Sequence, residues 1–261
     1  MALLRQNEGV VPEVVSKIGG RPASLLMEVE QTFDARPRVA GSNVEPSLAR
    51  RLYQGFRRDR RPFQGQDIIV NPGGNLFAYQ FSEAWLDTAS YLDPDGIDWF
   101  ANTRLATLAN RQFCIDHAGQ FKTYHAQSWG LSAGDSPWGY EVAGSTPSLH
   151  TPYHAGTVSI YGAISSLPFV PDLALEMIDY LYQEHPQTWG RYGFFDAYSL
   201  AVDPPWYSTA LYGIDKGCSM LMVENVLSGL IWDVYTHSPP IQDALGVLNF
   251  TKRVKVQVEN A

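Results

Sequence analysis

The residues of this sequence best suited to chemistry are carboxylates set among aromatic side chains. Asp196 lies in RYGFFDAYSLAVDPPWY, residues 191–207, with Phe194 and Phe195 before it and Tyr198 after it. Such a flank can desolvate a carboxylate and raise its pKa, which suits acid/base work. Aspartate is also a common helix cap or turn residue, and from the residues alone both readings of Asp196 stand. Asp135 lies in the Gly-Ser-Pro-Trp loop of WGLSAGDSPWGY, residues 129–140. There it can accept hydrogen bonds from sugar hydroxyls while Trp129 or Trp138 stacks on a ring face, or it can close an Asx-turn. Asp215 and Glu224 bracket the start of an apolar run. Asp215 reads as its N-terminal cap, and Glu224 as either a buried hydrogen-bond acceptor or a catalyst. Glu83 and Asp87 are four apart in SEAWLD, so they share one helix face.

Two carboxyl groups on opposite sides of a sugar are what hydrolysis of a glycosidic bond needs, one to protonate the leaving oxygen and one to activate water or attack carbon. The catalytic candidates are Asp196, Glu83 and Glu224. The candidates for sugar contact are Asp135, Asp215, Trp129, Trp138, Tyr140, Phe195 and Trp206.

Other chemistries find less support. His117, His125, His150, His154, His185 and His237 form no HExxH or comparable spacing, so no metal site is expected. Cys114 and Cys218 lie in apolar helical patterns and read as small buried hydrophobes. No G-x-S-x-G elbow, Walker loop or dinucleotide fingerprint occurs, and no cofactor is expected. The formal net charge of −8 opposes a nucleic-acid surface. The dense basic run Arg57-Arg58-Asp59-Arg60-Arg61 reads as a solvated helix end. No run approaches the length of a membrane span and the first residues do not form a secretory leader, so a soluble chain of unassigned location is expected.

These groups must be positioned by a core, and 261 residues of 45% hydrophobic and 13% aromatic composition are enough to build one. Residues 1–45 read as two short helices around Gly19-Gly20 and a loop. Helical periodicity is expected over 45–56, and over 76–92, where Phe77, Phe81 and Trp85 make a stripe. It recurs over 97–119, with Ile97, Phe100, Leu105, Leu108 and Phe113, over 157–169, and over 171–185, with Leu173, Met177, Ile178 and Leu181. Pro171 and Asp172 suit the first turn of the last of these. The segment 218–237 is apolar on nearly every face except around Glu224 and Asn225, which implies a helix buried on most sides. Residues 60–75 and 127–156 read as loops, and loops as long as the second usually serve function. Val254, Val256 and Val258 alternate as in an edge strand. With no βαβ rhythm, the class expected is all-α.

Six motifs in order carry a family resemblance: YQFSEAWLD, NTRLATLANRQFCIDH, WGLSAGDSPWGY, AISSLPFVPDLAL, WGRYGFFDAYSL and GIDKGCSMLMVENVLSGLIW. Over residues 70–235 the chain resembles the bacterial glucoamylase-like domain family, which includes endo-β-1,2-glucanases. The resemblance implies an (α/α)6 toroid whose loops at one end bind a glucan, and a glycoside hydrolase acting on β-1,2-linked glucose without metal or organic cofactor. It makes Asp196 a candidate base and the substrate an oligo- or polysaccharide. Family members are often exported. The family's HQYSHAW pattern has Tyr79 and Glu83 at its histidine positions here, SDGP becomes Gly134-Asp135-Ser136-Pro137, and IDQGP becomes Ile214-Asp215-Lys216-Gly217-Cys218. The family's Trp-Asn-Glu motif, whose glutamate is a candidate general acid, is not found in residues 1–70. The chain thus resembles mainly the C-terminal half of a toroid, with residues 1–69 as an extension and 70–261 as the toroid region. A homodimer or a missing N-terminal half would close the ring. The competing reading is a non-catalytic carbohydrate-binding half-toroid.

Overall fold

The computed structural model describes residues 46–55 and 57–253. The expectations for residues 1–45 and for a strand through Val254, Val256 and Val258 lie outside the described residues. Eight α-helices occur among them: α1 (Pro46–Gln54), α2 (Phe77–Glu83), α3 (Trp99–Asp116), α4 (Ile160–Ile164), α5 (Pro171–Glu184), α6 (Gly213–Leu227), α7 (Leu230–Thr236) and α8 (Pro239–Leu248). The all-α expectation holds only as a helix-rich chain, because short antiparallel sheets join these helices.

Helix ends follow local chemistry. Asp98 caps α3 by accepting the Ala101 N–H at 2.8 Å. Pro171 opens α5 with Asp172 in the first turn, as expected, and Ala174, Met177 and Leu181 form its buried stripe. The expected helix over 76–92 stops at Glu83, and Thr88–Ser90 form a 3-10 turn held by the Asp87 carboxylate, which accepts the Ser90 N–H.

Polar side chains line much of the buried face of α2 and α3. In α2 the buried residues are Ala78, Tyr79, Gln80, Ser82 and Glu83, whereas Phe77 and Phe81 stack on each other half-exposed. In α3 they include Asn102, Thr103, Thr107 and Asn110. The neighbours are irregular backbone whose amide and carbonyl groups need partners. Asn102 accepts the Ile69 N–H and donates to the Ile69 carbonyl, Asn110 does the same for Leu131, and Gln80 donates to the Gly162 carbonyl and to Ser166 Oγ.

The stretch after the basic run, read as loop, is a hairpin of β1 (Arg60–Phe63) and β2 (Gln66–Ile69). Gln64 and Gly65 both have positive φ, the conformation a two-residue hairpin turn requires. Arg60 and Arg61 are solvated on a strand, not a helix end. β3 (Tyr91–Leu92) pairs with β11 (Thr251–Lys252). β4 (Ala133–Gly134) pairs with β5 (Glu141–Val142) inside the long loop. β7 (Trp189–Gly190) and β8 (Gly193–Phe194) form a hairpin. β6 (Thr157–Ser159), β9 (Ala197–Ser199) and β10 (Trp206–Tyr207) form a three-stranded sheet with β9 central, so the first residues of the expected helix over 157–169 are strand.

The main core joins Leu76, Phe113, Tyr124, Trp129, Val158, Phe169, Met177, Phe194, Tyr198 and Met222. A second core ties α1 to α8 through Tyr53, Trp99, Ile241 and Leu245. Cys114 and Cys218 are buried free thiols, as expected. The reading of 218–237 as a helix buried on most sides does not hold. In α6 Asp215, Cys218, Ser219, Met222 and Asn225 face inward, while Met220 is 65% and Leu227 76% exposed. No described helix is long and apolar enough to cross a membrane.

Candidate active site

Asp196 sits between β8 and β9, with its peptide pinned on both sides. Its N–H donates to the Ala210 carbonyl at 3.2 Å and its carbonyl accepts the Ile160 N–H at 2.8 Å. The residue is buried and caps no helix. Its Oδ2 accepts the Asp135 N–H at 2.7 Å. That approach depends on Gly134, where a Cβ would lie 3.0 Å from Asp196 Oδ2 and 2.5 Å from Ser159 Oγ.

The Asp135 carboxylate accepts from Ser208 Oγ at 2.6 Å and from the Tyr212 hydroxyl at 3.4 Å. The turn in its loop is closed by Ser136, whose Oγ accepts the Trp138 N–H, so the Asx-turn alternative for Asp135 is not what the structure adopts. Ser208 follows β10, and its N–H donates to the Ala197 carbonyl. The sheet that carries Asp196 therefore also carries the hydroxyl that orients Asp135.

Asp215 joins this group from the first turn of α6. It is not the cap expected of it. Tyr212 occupies the cap position without a side-chain cap bond, and the Asp215 carboxyl is 0% exposed. The Tyr140 hydroxyl lies 3.0 Å from each of its oxygens and donates to them. The Tyr161 hydroxyl also reaches Asp215, besides Ser132 Oγ and the Ala133 carbonyl. The Asp196 and Asp215 carboxyls also act on each other electrostatically. Burial raises the pKa of both, and the Asp196 charge raises Asp215 further. Three influences act the other way on Asp196: the Asp135 N–H, the Asp215 carboxyl and the Lys216 ammonium.

Over the cluster, Tyr140 and Tyr212 pack edge to face at 4.9 Å. Asp196, Lys216, Tyr161, Tyr212 and Phe195 line one small concavity. Trp138 is 61% and Tyr140 43% exposed beside it in sequence, and both offer aromatic surface to solvent. Phe195 is half-buried against Gly190, and Trp206 half-buried on β10. Trp129 does not fit the stacking role expected of it. It is 0% exposed within the main core, so neither face of its indole is open to a ring.

Glu83 and Glu224 are not brought to Asp196. Glu83 accepts from Thr88 Oγ1 at 2.6 Å and Thr103 Oγ1 at 2.5 Å, and burial pushes its carboxyl up to about 7. Glu224 accepts from Ser228 Oγ and lines a separate open groove with Asp87, Trp232, Asp233 and His237. Neither shares a hydrogen-bond partner with Asp196, Asp135 or Asp215. Among the described residues, no three His, Cys, Asp or Glu side chains are grouped as a metal centre.

Sequence reading missed Gly134, Tyr161, Ser208, Tyr212 and Lys216. Tyr212 and Lys216 flank Asp215 at four-residue spacing, a signal that was available. Tyr161 and Ser208 carried none, because only tertiary contact makes them polar partners.

A family model described as "Putative glucoamylase" matches residues 39–239. The chain is 30% identical over 179 residues to the "Exo beta-1,2-glucooligosaccharide sophorohydrolase (non-reducing end)" of Parabacteroides distasonis, covering 68% of this chain and 24% of that protein. Among solved structures, an endo-beta-1,2-glucanase from Chitinophaga pinensis in complex with sophorotriose and glucose matches with TM-score 0.68 and 29% identity, over 77% of this chain and 48% of that one. A "putative glucoamylase" from Bacteroides caccae matches with TM-score 0.71 and 27% identity, over 80% and 51%. The chain thus spans about half the length of these solved relatives and less of the curated one.

Proposed function

Because this chain belongs to the glycoamylase family, whose model covers residues 39–239, we propose that it carries the base side of a site that hydrolyses a β-1,2-linked glucan, within an (α/α)6 toroid of which it forms mainly the C-terminal half. One observation carries the reading most. A recessed carboxylate, Asp196, is oriented by the Asp135 N–H and opens on a concavity with an aromatic rim. The matched relatives named for β-1,2-glucan activity support the substrate class.

In this mechanism Asp196 takes a proton from water as the water oxygen bonds to the anomeric carbon. The bond to the leaving oxygen breaks, and a general acid gives that oxygen its proton. Asp215 is not that acid. Its carboxyl is wholly buried with both oxygens facing the Tyr140 hydroxyl, so it does not reach a leaving oxygen on the far side of the sugar. Glu83 is sealed by two threonine hydroxyls and Glu224 lies in the other groove, so the acid comes from outside the described residues. Asp135, Trp138, Tyr140, Phe195 and Trp206 supply polar and aromatic contacts to the sugar.

A second reading is a half-toroid that binds sugar and acts only when completed. The exposed apolar side chains Met220, Leu227, Leu230 and Val234 on α6 and α7 favour it, since such patches tend to be interfaces. Reducing-sugar release from β-1,2-glucan tests the main reading. Release by the wild type and its loss in Asp196→Asn with the fold intact supports it, and equal release by the variant overturns it. Sophorotriose binding without release, together with a dimer in light scattering, favours the second.

A further inference from the structure

Among the described residues around Asp196, Lys216 is the one cation, and it lies with the carboxyls of Asp135 and Asp215. Asp215 and Lys216 are consecutive in α6, so their side chains diverge by about 100° around the helix axis. Asp215 turns inward to Tyr140 and Tyr161. Lys216 turns toward the strand that leads to Asp196, and its Nζ donates to the Phe194 carbonyl at 2.5 Å. Phe194 is two residues before Asp196, and Lys216 and Asp196 line the same concavity. The ammonium is therefore held by a backbone acceptor beside one member of the carboxyl pair, while the other member sits among tyrosine hydroxyls.

We propose that Lys216 is a positioning residue for Asp196, its ammonium keeping Asp196 as the anion that faces the pocket. This rests on the reading of Asp196 as the base. The groups facing Asp196 are Asp135 from the loop after β4, Tyr161 from α4, and Tyr212, Asp215 and Lys216 at the start of α6, with Tyr140 behind Asp215. Of these only Lys216 carries positive charge. A neutral side chain at 216 would leave Asp196 near two carboxyls with no compensating charge, and its affinity for a proton would rise. The Phe194 bond keeps the ammonium close, so a charged head with similar reach retains the effect.

The test is a titration of aspartate side-chain carbons by NMR on the full chain, with Asp196 assigned through Asp196→Asn. In Lys216→Gln the Asp196 midpoint should rise by about one pH unit, a tenfold change in its acid dissociation constant, while Lys216→Arg stays near the wild type. Unchanged amide shifts away from the site serve as the folding control, and Lys216→Met substitutes if the glutamine variant does not fold. An Asp196 midpoint that stays put in both neutral variants, or moves equally in Lys216→Arg, overturns the proposal. If the chain hydrolyses β-1,2-glucan, the acid limb of kcat/KM should move with the midpoint. A moved midpoint without sugar release leaves the Lys216 assignment standing and counts against the hydrolase reading alone.

Discussion

The backbone N–H of Asp135 donates to Asp196 Oδ2 at 2.7 Å across 61 residues of chain. This bond joins the long aromatic loop to the residue just before the central strand of the small sheet. It orients one oxygen of Asp196.

Gly134→Ala tests that geometry. The new methyl would lie 2.5 Å from Ser159 Oγ and 3.0 Å from Asp196 Oδ2, so the β4 backbone must withdraw from Asp196. Loss of a charge-assisted hydrogen bond costs about 1.5–3 kcal/mol, so kcat/KM on β-1,2-glucan should fall roughly ten- to a hundredfold. A variant with wild-type kcat/KM would mean that the approach is not needed.

Tyr140→Phe removes the hydroxyl that stabilises the Asp215 anion. The Asp215 pKa should rise further above the ordinary carboxylate range. The alkaline limb of any activity that requires Asp215 to be protonated then moves to higher pH, read in a pH–rate profile of the variant beside the wild type.

Glu83 makes a stability prediction. Burial raises its folded pKa to about 7, above about 4.3 for the unfolded chain. The folded state therefore binds this proton more tightly, and the group's contribution is greatest below about pH 4. It is lost as pH rises from there through the folded pKa of about 7. In Glu83→Gln that slope should flatten, with a melting temperature above wild type at pH 8. Glu83→Ala strands the Thr88 and Thr103 hydroxyls and should destabilise by about 2 kcal/mol. Thermal unfolding from pH 4 to 8 reads both.

A histidine–tyrosine chain makes the opposite prediction. The Gln127 N–H donates to His125 Nδ1, so a neutral His125 bears its proton on Nε2 toward the Tyr180 hydroxyl. That hydroxyl faces His185 Nε2, and His185 Nδ1 faces the Tyr207 hydroxyl. Burial lowers the pKa of both histidines, with His185 also acting on His125 and Glu184 opposing the shift at His185. The unfolded chain therefore takes up protons first as pH falls below about 6.5, and stability declines in that window. His185→Gln should lessen the decline. A melting temperature equally steep between pH 7 and 5.5 in wild type and variant would sink the assignment.

Local chemistry in the sequence was enough for α1, α3 and α5, because a 3.6-residue period and first-turn residues such as Pro171 and Asp172 act within the segment itself. The aromatic flank of Asp196 and the long loop around Asp135 were also legible, since both are properties of contiguous residues. The strands that seat Asp196 were not, because β6, β9 and β10 are two or three residues long, too short for alternation to register. The polar buried faces of α2 and α3 were hidden for a related reason, as their partners are irregular backbone from distant segments. Trp129 and Trp138 look alike in sequence, yet only packing decides that one lies in the core and the other in solvent. That Lys216 lies beside Asp196 while Asp215 turns to Tyr140 is set by where α6 docks on the sheet. Such neighbours depend on distances across the fold, and nothing within either segment encodes them.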